Sequence, residues 1–91
     1  MTKILLLSHS KSMLNSLRER LNFENFATTE TDNLAHAAEL CRTEQFNVAI
    51  VDGEFSLEDI DLPVIVVTRT PDIESAIAAL RNGAIDYLTP P

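Results

Sequence analysis

The sequence is poor in the residues that staple, punctuate or cradle. It has one cysteine, two glycines, one tyrosine and no tryptophan in 91 residues. A lone Cys41 forms no internal bridge, so the fold owes nothing to disulfides, and the thiol is expected to be a small buried residue on a helix. Two glycines do not make a phosphate-cradling loop. Cations are also scarce, 7 against 14 acidic residues for a net charge of −7, which opposes direct nucleic-acid binding by this segment. No apolar tract approaches the roughly 20 residues of a membrane span, and Met1 to Ser8 lacks a signal-peptide layout. No second His or carboxylate follows His9 at metal-ligand spacing, and no nucleophile and base stand together. A single cytoplasmic domain without a membrane partner, a metal or enzymatic activity is expected.

What the chain does have is an alternation of short apolar runs with stretches of helical period. Ile4 to Leu7, Val48 to Val51 and Val64 to Val67 are continuous apolar runs, the mark of strands buried on both faces of a parallel sheet. Met13, Leu14, Leu17 and Leu21 form a helical stripe behind the candidate caps Ser10 and Ser12. Leu34, Ala37, Ala38 and Cys41 form a second, with His36 on its solvated flank. Thr70, Pro71, Asp72, Glu74 and Gly83 delimit a third, whose stripe is Ile73, Ala76, Ile77 and Leu80. Ala27 to Glu30 and Asp86 to Leu88 are more polar and suit edge strands. The order is βαβαββαβ, an α/β fold. The stretch from Gly53 to Asp61 is too short for a crossover helix of ordinary length.

In such sheets the functional crevice lies beyond the carboxyl ends of the strands. Here those ends carry Ser8-His9-Ser10, Asp52-Gly53, Thr68-Arg69-Thr70 and Pro90-Pro91. With these segments in place, Val-Ala-Ile-Val-Asp52, Leu-Pro-Val-Ile-Val-Val-Thr68 and Gly83-Ala-Ile-Asp-Tyr-Leu-Thr-Pro-Pro91 resemble the receiver (CheY-like) domain of two-component response regulators across nearly the whole chain. The stretch Asp-Ile-Glu-Ser-Ala-Ile-Ala-Ala-Leu-Arg-Asn-Gly83 is weakly similar to receivers of σ54-dependent activators.

The resemblance implies a flavodoxin-like, doubly wound five-stranded parallel sheet in the order 2-1-3-4-5. The family's third helix is reduced or absent and its fifth is missing from this chain. It places Asp52 at the phosphoacceptor position, Thr68 and Tyr87 at the switch positions, and Ser8 and His9 where active receivers have the acidic pair that binds Mg²⁺. Pro90 stands where the family has a Lys that pairs with the phosphoryl group. Phosphoryl transfer depends on charge neutralisation, so this pocket is expected to bind Mg²⁺ weakly if at all, with Asp52 and Glu54 as its remaining carboxylates. Arg69 is the candidate substitute cation, and a solvated loop Arg is the alternative. Asp52 could equally begin a turn, His9 could be a loop or capping neighbour, and Thr68 and Tyr87 could be ordinary strand residues.

A chain short of covering helices exposes apolar surface, which marks association sites. We therefore expect a homodimer through Ile77, Arg81, Ile85 and Tyr87. Residues 1–91 are expected to be the N-terminal part of a longer regulator, with a DNA-binding output domain and, if the σ54 likeness holds, an AAA+ ATPase. The function expected is that of an atypical receiver, a regulatory and dimerisation module largely independent of phosphorylation. The alternatives are a receiver phosphorylated on Asp52 by a histidine kinase and a flavodoxin-like domain that binds a small ligand.

Overall fold

The run Ile4 to Leu7 is the interior of strand β1 (Lys3–Ser8), and all of it is buried. The computed structural model describes residues 2–53, 55, 57, 60–67 and 86–88. After β1 come helix α1 (Lys11–Phe23), strand β2 (Ala27–Thr31), helix α2 (Leu34–Thr43), and strands β3 (Val48–Asp52), β4 (Val64–Val67) and β5 (Asp86–Leu88). They form one five-stranded sheet, parallel throughout, in the order β2-β1-β3-β4-β5. This is the flavodoxin-like topology expected from the resemblance, with β2 and β5 at the edges.

Successive side chains of a strand face opposite sides of its sheet, so β1 serves two cores at once. Leu5 and Leu7 pack with Ala37 of α2 and with Ala49, Val51, Val64 and Val66. Ile4 and Leu6 pack with Leu14 of α1, backed by Leu17, Leu21 and Phe26. The two faces are unequally covered. Beneath α2 the β3 and β4 residues are buried, whereas Val48, Ile50 and Ile65 on the other face are half-buried.

Both helices begin at polar caps. Ser10 is the N-cap of α1, its Oγ accepting from the Met13 amide at 3.2 Å. Ser12, the other candidate, lies inside the first turn, its hydroxyl 3.0 Å from that of Ser10. Asn33 caps α2 by accepting from the His36 amide at 3.0 Å. After α1 the chain turns through Asn25 at φ 69°, a left-handed conformation that Asn tolerates better than most residues.

Among the described residues between β3 and β4 there is no helix. The Ile60 amide donates to the Leu57 carbonyl at 3.1 Å, and the two side chains plug the core beneath α2. Cys41 corrects one expectation. It is half-buried, not buried, and what burial it has pushes its thiol pKa above the ordinary value. The expected third helix, including Ile77 and Arg81, lies outside the described residues, as does Ile85. No helix among the described residues is long and apolar enough to cross a membrane.

Candidate functional site

The register of β1 and β3 decides what the carboxyl edge of the sheet presents. Both strands end a four-residue apolar run on a polar residue, and the pairing of Ile4 with Val48 carries through to Ser8 with Asp52. Paired residues of neighbouring strands share a face, so the serine hydroxyl and the aspartate carboxylate meet there. Ser8 Oγ donates to Asp52 Oδ2 at 2.7 Å.

Ser8 is fully buried and Asp52 half-buried. The same Ser8 oxygen accepts from the Ser10 amide at 2.9 Å. A relay therefore runs from the Ser10 amide through the Ser8 hydroxyl to Asp52, and each bond polarises the next. Because Ser10 also caps α1, the relay ties the start of that helix to the carboxylate.

His9 is exposed beside this relay, and its ring lies against Phe55, with centroids 4.7 Å apart and planes inclined by 32°. The contact joins the loop after β1 to the segment after β3. Gly53 permits it: its φ of +103° is a conformation that side chains rarely adopt, and a Cβ there would sit 3.7 Å from the Phe55 ring.

Of the residues proposed from sequence, the structure brings together Ser8, His9 and Asp52. Tyr87 is placed on β5 beside Val66, with its side chain outside the description. Glu54, Thr68, Arg69 and Pro90 lie outside the described residues. Sequence reasoning missed Phe55, which no periodicity marks, and it missed the bond from Ser8 to Asp52. It also left His36 merely solvated. The His36 side chain is exposed, yet its Nδ1 lies 2.9 Å from the Oγ1 of buried Thr31.

A second feature adjoins the site. A cavity of about 290 Å³ opens between the carboxyl ends of β1 and β2 and the first turns of α1. Ser8 belongs to its wall as well as to the relay. Among the described residues, no group of three or more His, Cys, Asp or Glu side chains is placed to hold a metal ion.

The comparisons with known proteins agree with this geometry. No family model matches the sequence. The heme response regulator HssR of Staphylococcus saprophyticus is 28% identical to this chain over the chain's whole length and 46% of its own. The chain thus spans less than half of that relative. Its fold is shared by a response regulator of Burkholderia pseudomallei bearing a phosphorylated aspartic acid, at TM-score 0.84 and 21% identity, over 100% of this chain and 61% of that one. It is shared equally by an atypical orphan response regulator described as using a phosphorylation-independent mechanism, at TM-score 0.82 and 20% identity, over 97% and 81%. The chain resembles response regulators in sequence and has the fold of their receiver domains.

Proposed function

We propose that this chain of receiver fold is an atypical receiver, a regulatory module whose state does not depend on phosphorylation of Asp52. The observation that carries the reading is the hydrogen bond from fully buried Ser8 to Asp52. A hydroxyl occupies the position where phosphoryl chemistry needs a carboxylate for the metal. Mg²⁺ favours an octahedral set of hard oxygens, usually with one or two carboxylates. Of the two positions that carry the acidic pair in active receivers, one holds a buried hydroxyl already donating to Asp52 and the other an exposed imidazole, so neither adds a carboxylate for the ion.

In the longer protein, this module is read as cytoplasmic, homodimeric through the side containing Ile77, Arg81, Ile85 and Tyr87, and attached to a transcriptional output domain. A histidine kinase is then a partner by descent and not a donor. Intact mass after incubation with acetyl phosphate and Mg²⁺ tests the central claim. No adduct is expected, and a stoichiometric phosphoryl adduct abolished by Asp52→Asn would establish the phosphorylated receiver instead. Sedimentation of the chain tests the dimer, which a monomer at about 100 μM, a concentration that populates typical modest interfaces, would exclude.

A further inference from the structure

We infer that the cavity between β1 and β2 binds a small zwitterion carrying one carboxylate and one ammonium group, such as a free α-amino acid. Its regulatory consequence rests on the reading of a phosphorylation-independent receiver, but the binding itself does not. Three observations converge on the ligand class.

The first is charge. Lys11 on α1 and Asp32 after β2 line the same cavity, yet among the described residues neither makes an ion pair. The neighbouring acid, Glu30, is engaged by Arg18 at 3.0 Å. The cavity therefore offers one uncommitted cation, on α1, and one uncommitted anion, after β2, complementary to a molecule that carries both signs. A simple anion would meet Asp32, and a simple cation would meet Lys11.

The second is the lining. Ser8 and Thr31, 0% and 7% exposed, place hydroxyls in the wall that are held by Asp52 and His36, and Leu14 supplies an apolar surface. A lining that is polar apart from Leu14 suits a charged molecule with a short side chain. The third is size. At about 290 Å³ the cavity falls at the lower limit of ligand pockets, which span about 300–1,000 Å³. It accommodates an amino acid.

The site is coupled to Asp52 by Ser8, which lines the cavity and donates to the carboxylate. A ligand that draws on the Ser8 hydroxyl or shifts the start of α1 alters the relay. Ligand occupancy would thereby supply the signal that phosphorylation supplies in other receivers.

The test is a thermal-shift panel of the twenty free α-amino acids, each beside its N-acetyl and amide derivatives. At a concentration about ten times Kd the melting temperature should rise by roughly 6–11 °C. The rise should vanish when either charge of the ligand is blocked, and also in Lys11→Gln and Asp32→Asn. Absence of a saturable rise with any free amino acid overturns the proposal, as does a rise that survives both substitutions or both blocked derivatives. For the coupling, the Gly53 amide resonance should move on ligand addition in the wild type and stay fixed in folded Ser8→Ala. An unmoved resonance in ligand-bound wild type defeats that part. A phosphoryl adduct on Asp52 would instead defeat the phosphorylation-independent reading and leave the binding result standing.

Discussion

The two ends of strand β1 treat charge in opposite ways. At the amino end every polar group of Lys3 is committed. Its amide donates to Asn47 Oδ1 at 2.8 Å, its carbonyl accepts from the Asn47 amide at 2.8 Å, and its ammonium pairs with Glu44 while lying 5.1 Å from the Phe46 ring centroid. At the carboxyl end the hydroxyls are committed, Ser8 to Asp52 and Thr31 to His36, whereas Lys11 and Asp32 form no ion pair among the described residues. The amino end also has a cavity, of about 550 Å³ and lined by Lys3, Cys41 and Glu44. There, however, cation and anion satisfy each other, leaving no call for a ligand. Paired charge closes one end of the sheet, and unpaired charge leaves the other available.

The comparison breaks most readily at Ser8. Ser8→Ala removes a hydrogen bond to a charged acceptor and leaves the Asp52 oxygen short of a donor, a loss of about 2 kcal/mol in urea unfolding. The same variant combined with Asp52→Ala should cost less than the sum of the single changes. Strict additivity would show that the two side chains do not interact. The helix caps come next. Ser10→Ala and Asn33→Ala should each lose about 1 kcal/mol, with Ser10→Ala the more damaging because it also disturbs the turn that aims the Ser8 relay. Equal losses would separate the cap from the relay. At the amino end Lys3→Met should cost only about 0.5 kcal/mol, because a pair with both side chains about one-third exposed (34% and 33%) is screened by solvent.

Much of this arrangement was legible in the sequence. The four-residue apolar runs located β1, β3 and β4, and their equal length, each closed by a polar residue, held the register that sets Ser8 beside Asp52. The bond itself is masked in the sequence by what position 8 lacks, a carboxylate, although a hydroxyl there is a donor. Asn33 was also recoverable, since Thr-Asp-Asn stands directly before the second helical stripe. Phe55 was not. Its ring reaches His9 through a glycine turn, and such a contact depends on loop geometry that neither periodicity nor propensity encodes. The pairing of Thr31 with His36 depends on how the turn from β2 into α2 is shaped, and the shared cavity of Lys11 and Asp32 is a tertiary fact, set by how α1 and the end of β2 meet.

The smallest expected effect bears most directly on the contrast between the two ends. Lys11 and Asp32 are exposed and bonded to nothing among the described residues, so Lys11→Gln and Asp32→Asn should each change unfolding stability by less than about 0.5 kcal/mol, the ordinary range for surface positions away from special features. Lys11 sits in the first turn of α1, where a cation opposes the helix dipole, so its replacement should if anything stabilise. Asp32 precedes the Asn33 cap and adds no bond to it. If either substitution instead cost 1 kcal/mol or more, a figure in the range of a lost hydrogen bond, that charge would be part of the scaffold and the two ends of β1 would be alike. A null result in ligand-free protein, set beside lost stabilisation by amino acids in the same variants, would assign these charges to binding and not to folding.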